Sequence, residues 1–321
     1  MAEIQRDVDH DGQPQFKYRT TLDLLSEQLF GQRCLIFLGA GASVDQSRTD
    51  LPTARELSKA LAAKCALEWH EYVPLSTTAF YYEFFYDRSS LNRFLRDRIT
   101  APTIQPTPTI EALVKIIGRL EDSGRKCLVV TTNYDQHFEK AYSAARGHAP
   151  GVIIYRGAND PSIKGLKLHD GLSDDPEYWL PQKPTYLYKM HGCISDPGEQ
   201  NLVITEEDYI NFLTNSFSQD QNKRLLHYVR GRLALSTVLF VGYSLSDWNF
   251  RVLFKATAED KATTSFAVQL NPPATDNLAR TQQQALVKFW GLRKIDIINA
   301  DASQFMHDLL AHVESYQLQA N

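Results

Sequence analysis

Cys34–Ser43 reads CLIFLGAGAS. The uncharged apolar run Cys34–Leu38 has the pattern of a strand buried on both faces, as in a parallel sheet. The turn Gly39-Ala40-Gly41 that ends it removes side chains from the backbone and leaves N–H groups free to meet an anion such as a pyrophosphate. The plainer reading is a tight strand-to-helix turn, and Val44 stands where the dinucleotide fingerprint has its third glycine. The sequence contains no G-x-x-x-x-G-K-[ST], which excludes a P-loop ATPase.

Working outward, Lys126–Val130, Thr185–Met190, Thr237–Val241, Thr264–Leu270 and Lys294–Ile298 also read as strands. Helical spacing is found in Thr21–Leu29, Arg55–Leu67, Ile110–Leu120, Gln136–Ala145, Thr205–Leu213, Leu225–Leu235 and Ser303–Val313, with one or two helices in Thr78–Ile99. Residues 147–184 are rich in Gly, Pro and Asp and read as loop. The expectation is an α/β fold: a Rossmann-like, mostly parallel sheet with helices on both faces and a helical insertion. Residues 1–20 form an N-terminal arm, and 21–321 one domain with insertions at about 56–125 and 143–187. Ligands of such sheets bind beyond the C-terminal strand ends, here GAGAS, TTNYD, HG, GYS and LNP.

The composition narrows the classes. Of 321 residues 43% are hydrophobic and 22% charged, enough for a core. The net charge of −4 excludes a generally basic nucleic-acid binder, so no direct nucleic-acid contact is expected. The cysteines, at positions 34, 65, 127 and 193, form no CxxC pair, so no metal is expected. The polar N-terminus lacks a signal-peptide core and the apolar runs are too short for a membrane span, which points to a soluble, cytoplasmic protein.

Asn133 and Asp135 follow a strand; both are good helix caps, and both are placed to face a ligand. At a strand-end turn, loss of the Asn133 amide is expected to cost little packing. His191 also follows a strand; with a pKa near ~6.5 it is either a proton acceptor at physiological pH or an ordinary structural histidine. Gly242-Tyr243-Ser244 offers a further backbone approach with a hydroxyl. His169, His227 and His307 lack such context, and His70-Glu71 lacks the second histidine of a zinc protease. Trp69, Tyr72, Phe80, Tyr81, Tyr82, Phe84, Phe85, Tyr86 and Phe94 have no basic cluster beside them and suit a core or an oligomer contact.

The ordered series GAGAS, DLP-x-x-R, TTNYD, KMHG, VGYSLSD and LNP, from Gly39 to Pro272, resembles the sirtuin (silent information regulator) superfamily, and Asn299-Ala300-Asp301-Ala302 extends the likeness. The resemblance implies a sheet that binds NAD. Gly39, Ala40 and Gly41 would line the pyrophosphate, with Ser43 holding the turn. Gly242 and Ser244 would meet phosphate or ribose, Asn271 the adenine ribose and Ala302 the adenine edge. Asn133 and His191 would sit at the nicotinamide ribose, as the catalytic pair, and Asp135 at the carboxamide.

Two departures bear on the reaction. Deacylases of that superfamily carry two CxxC pairs after HG, and a phenylalanine where Ala54 stands in Leu51-Pro52-Thr53-Ala54-Arg55. That ring shields the activated ribose from water, so alanine favours hydrolysis. The resemblance therefore implies an NAD glycohydrolase of bacterial antiphage defence, depleting NAD in abortive infection. It implies a HerA-type ATPase as partner, or alternatively an argonaute-type sensor, while the aromatic-rich insert points to a homo-oligomer. Two further readings stay open: a non-catalytic subunit binding NAD or ADP-ribose, and a zinc-free NAD-dependent deacylase.

Overall fold

Along Cys34–Leu38, Leu35 and Phe37 enter one apolar core while Ile36 and Leu38 enter another, because alternate strand residues face opposite sides of a sheet. This strand lies at the centre of the molecule. The computed structural model describes residues 4–5, 16–44, 51–70, 73–100, 105–155, 183–196, 202–217, 224–245, 251–252, 254–255, 263–270 and 277–320.

The strands are β1 Ile4–Gln5, β2 Cys34–Leu38, β3 Cys127–Thr131, β4 Gly151–Ile154, β5 Thr185–Lys189, β6 Thr237–Val241, β7 Ser265–Gln269 and β8 Ile295–Asn299. They form one 8-stranded sheet in the order β1-β8-β7-β6-β2-β3-β5-β4. Each described pairing is parallel. From β2 the chain moves outward through β3 to the β5/β4 edge, then returns to the other side of β2 with β6. Strand order thus reverses between β2 and β6, the position where open α/β sheets place their ligand crevice.

The described helices are α1 Phe16–Phe30, α2 Ala54–Lys64, α3 Leu75–Phe85, α4 Arg88–Ile99, α5 Pro108–Asp122, α6 His137–Arg146, α7 Glu206–Phe217, α8 Arg224–Leu235, α9 Asn277–Gly291 and α10 Ala302–Ala320. One face of the sheet is covered by α1, α5, α6 and α10, through Leu25, Ile117, Tyr142 and Leu309 among others. The other is covered by α7, α8 and α9, through Phe212, Leu233 and Trp290. The expected Rossmann-like sandwich is therefore present.

The insertion, α2 to α4, builds its own small core from Leu57, Leu61, Tyr82, Leu91, Phe94 and Leu95. Its helices start where the sequence caps them. Thr53 and Glu56 form a reciprocal capping box on α2, and Asp87 accepts from the Ser90 N–H at the start of α4.

Two expectations are corrected, and one helix goes unread in the sequence. The arm drawn at 1–20 ends inside α1, where Tyr18 is fully buried and donates to Asp308 at 2.9 Å, and Ile4–Gln5 pairs with Ile298–Asn299 at the sheet edge. Part of the 147–184 loop is strand β4, which pairs with β5. Helix α9, unread in the sequence, buries Trp290 against Phe254 and Phe289.

Candidate functional site

The strand ends gather the candidate residues in one row. Ala302 opens α10 after β8, Gly242 and Ser244 follow β6, and Gly39 to Ser43 follow β2. Asn133 and Asp135 follow β3, and His191 follows β5. Neighbouring strands are about 4.8 Å apart, so β6, β2, β3 and β5 bring four of these turns together. Asn271, and Asp50 before the DLP turn, lie outside the described residues, as do Tyr72 and His169.

The glycine turn is clamped by backbone. Gly41 N–H donates to the Gly242 carbonyl at 2.8 Å, and Gly39 N–H to the Val241 carbonyl at 3.0 Å. A Cβ on Gly39 would lie 2.5 Å from Tyr243 Cα, and one on Gly242, whose φ is +62°, 2.1 Å from the Ala42 nitrogen. Only glycine allows this approach. Ala42 and Ser43 N–H groups bond back to the carbonyls of Gly39 and Ala40, closing a single turn of 3-10 helix. The N–H groups of Gly39 and Gly41, expected to be free for an anion, are therefore engaged within the fold, as are those of Ala42 and Ser43. Ala40 and Gly41 remain exposed at the tip. The α5 cap joins the same turn, since Thr107 Oγ1 donates to the Ala42 carbonyl at 2.6 Å.

Asn133 is buried, and its amide nitrogen donates to the Gly39 carbonyl at 2.9 Å and to Ser43 Oγ at 3.0 Å. Its N–H donates to Thr131 Oγ1 at 3.0 Å. The side chain thus ties two strand-end turns together, which corrects the expectation that its loss costs little. Its Oδ1 is buried with no hydrogen-bond partner among the described residues. Ser43 accepts the Asn133 amide through its Oγ and donates its own N–H to the Ala40 carbonyl. Asp135 caps α6, accepting the His137 N–H at 2.9 Å, and its side chain lines the same small cavity as Asn133. That cavity is about 10 Å³, room for one water, and Ser43, Phe138, Glu139 and Lys189 also line it.

His191 is 6% exposed, with its ring edge-on to Tyr209 and Phe212 of α7, each 5.2 Å away between centroids. Burial pushes its pKa down to about 3, so the imidazole is neutral throughout the physiological range. The sequence-based value near ~6.5 is corrected: this apolar cage disfavours the imidazolium. The cage is anchored to the insertion. Arg88 of α4 donates to Asp208 of α7 at 2.8 Å and to the Leu202 carbonyl at 2.5 Å, and Thr77 of α3 donates to Glu206 at 2.6 Å.

The segment after His191 is stitched to the Asn133 turn. Ile194 N–H donates to the Tyr134 carbonyl at 3.1 Å, Val203 N–H to the His191 carbonyl at 3.0 Å, and the Tyr134 hydroxyl to the Val203 carbonyl at 2.7 Å. Burial pushes the His137 pKa down, so its neutral ring, 4.0 Å from Asp135, makes no ion pair.

The sequence reading missed Lys189, Glu139, Tyr209 and Phe212. A lysine inside the otherwise uncharged strand Thr185–Lys189 was the available signal for the first. Among the described residues no cluster of three or more His, Cys, Asp or Glu is placed to hold a metal, and no helix is long and apolar enough to cross a membrane.

A parallel sheet with its polar and glycine turns collected at a switch point defines a Rossmann-like fold. The chain belongs to the SIR2-like family: a SIR2-like domain matches residues 127–295, more than half of it. It is 29% identical over 154 residues to "Defense-associated sirtuin 2" of Bacillus subtilis, a match covering 46% of this chain and 13% of that protein. Similar solved structures include a Sir2 enzyme, 15% identical with a TM-score of 0.46, covering 94% of this chain and 98% of that one. Another is a Sir2 homologue–NAD complex, 12% identical with a TM-score of 0.47, covering 92% and 94%.

Proposed function

We propose that this chain hydrolyses NAD to nicotinamide and ADP-ribose. The observation that carries the reading is the unpartnered Oδ1 of Asn133, a buried acceptor on a turn pinned from three sides. A buried acceptor without a partner is costly, and a ribose hydroxyl or the attacking water would satisfy it. The glycosidic bond breaks as nicotinamide takes the bonding pair and leaves neutral. Positive charge develops on the ribose, as in glycoside cleavage generally. Water then adds its oxygen to C1 and loses a proton, giving ADP-ribose.

In this reading Asn133 orients the nucleophile or a ribose hydroxyl, Asp135 faces the carboxamide, and His191 accepts the proton once α7 moves away from its ring. Ala54, exposed at the first position of α2, leaves water access to the ribose. The likeness to a defence-associated sirtuin supports a role in defence, which in this reading proceeds by NAD depletion in the antiphage response. The exposed Tyr81, Phe84, Phe85 and Tyr86 of the insertion support assembly into an oligomer, and a HerA-type ATPase remains the proposed partner.

A second reading, a non-catalytic NAD or ADP-ribose sensor, is favoured by the closed cage around His191. Incubation with NAD, with and without an acylated peptide, separates the readings. Nicotinamide release without peptide supports the hydrolase, release only with peptide a deacylase, and binding without release the sensor.

A further inference from the structure

Lys189 ends β5 two residues before His191, and it is 1% exposed. Its ammonium donates to the Asp135 carbonyl and to Glu139 Oε1, the latter at 3.1 Å. Burial works against this charge, but Glu139 above all, with Cys193 and Asp135, outweighs it and holds the ammonium above the ordinary lysine range. A methionine would fill much the same space with no charge to compensate, so packing does not account for lysine here.

The placement gives the charge a task. Thr131 holds the Asn133 N–H, and Gly39 and Ser43 hold its amide, all from the β2 and β3 side. Lys189 reaches the same turn from β5 and takes the Asp135 carbonyl. Strand β5 is also the strand that delivers His191, so one side chain links both candidate halves of the site. Glu139 neutralises the ammonium locally, which matters beside a ribose that becomes cationic.

We propose that Lys189 is a positioning residue: paired with Glu139, it fixes the Asp135 carbonyl and so the direction in which Asn133 and Asp135 meet the substrate's ribose and carboxamide. The proposal rests on the NAD-hydrolase reading for its substrate, but its geometry can be tested without turnover.

The test compares full-length wild type with Lys189→Met, Glu139→Gln and the double variant, which leaves no unpaired charge. NAD binding is read by calorimetry, turnover by nicotinamide release, and the ligand-free turn by hydrogen exchange at the Asn133 and His137 amides. The double variant is expected to melt cooperatively, bind NAD within about 3-fold of wild type, and lose about 10²-fold in kcat, as misplaced catalytic groups do. Both amides should exchange faster. Glu139→Gln alone should lower kcat further than the double variant, because it leaves the ammonium uncompensated. A folded double variant with wild-type kcat and wild-type exchange overturns the proposal, as does a kcat that falls only in proportion to the folded fraction. If wild type binds NAD but releases no nicotinamide, the hydrolase reading fails, and the exchange rates alone decide whether Lys189 positions the turn.

Discussion

The side-chain amide of Asn133 donates to the backbone carbonyl of Gly39, 94 residues earlier, at 2.9 Å, so the residue best placed for chemistry also joins strands β3 and β2. Its nitrogen is spent on structure, and its buried oxygen has no partner among the described residues. This division of one amide separates what its variants should do.

Asn133→Ala removes two donated bonds and leaves the Gly39 carbonyl short of one partner. A loss of about 1–3 kcal/mol is expected on this account, together with loss of NAD cleavage. Asn133→Asp should be worse for stability, since it sets a carboxylate oxygen against the Gly39 carbonyl. Denaturant midpoints and nicotinamide release check both; an Asn133→Ala protein as stable as wild type contradicts the bridging role.

The His191 cage makes a pH prediction. Because burial lowers the imidazole pKa to about 3, the unfolded chain binds a proton that the folded chain refuses between that value and the ordinary ~6.5. The contribution is fully present above about 6.5 and is lost as pH falls toward 3. Phe212→Ala opens one wall of the cage, so the His191 pKa should rise toward its ordinary value in an NMR titration of the ring. An unchanged titration would show that Phe212 does not shield it.

Gly242→Ala and Gly124→Ala form a contrast. Both glycines have positive φ, +62° and +73°, but an added Cβ meets Ala42 backbone at Gly242 and nothing within 4 Å at Gly124. Strain alone should cost Gly124→Ala about 1 kcal/mol. Gly242→Ala should lose several times that, because the colliding atoms are backbone and cannot rotate away. Equal melting temperatures for the two variants would mean that the β2–β6 clamp yields easily.

Phe84 and Phe85 are 76% and 56% exposed, whereas Tyr82 and Phe94, also on the insertion, are buried at 8% and 7%. Changing Phe84 and Phe85 to Ser should leave the fold intact and lower the assembly state by light scattering. Tyr82→Ser should unfold the insertion instead. A wild-type mass of 36.5 kDa at micromolar concentration would remove the oligomer from the reading.

Much of the fold was legible because parallel strands are written as apolar runs. Cys34–Leu38 and Thr237–Val241 fall where periodicity puts them, and helix ends near Thr53 and Thr107 carry their caps. What escaped was short or edge-placed. Ile4–Gln5 has two residues, and Gly151–Ile154 needs only one strand neighbour, so neither requires a long apolar signature. Helix α9 hid because its apolar residues crowd toward Trp290, leaving a Gln-rich first half. In the candidate site, motif order picked out Asn133 and His191 as candidates, but not what surrounds them. The β2–β3 bridge, the Lys189–Glu139 pair and the His191 cage join residues tens of positions apart, and local spacing carries no trace of them.

The insertion's small core also contains Ile194, Leu202 and Ile204 and packs against Tyr134, all from the segments that flank Asn133 and His191. These loops therefore draw part of their burial from a third cluster, while Val203 and Phe212 tie the same region to a cluster that holds the sheet. The candidate site is seated partly on the sheet and partly on the insertion. Heating or proteolysis that opens the smaller cooperative unit first would dismantle the chemistry while the eight strands stay paired. Loss of the candidate site and loss of the sheet are then expected as two transitions rather than one.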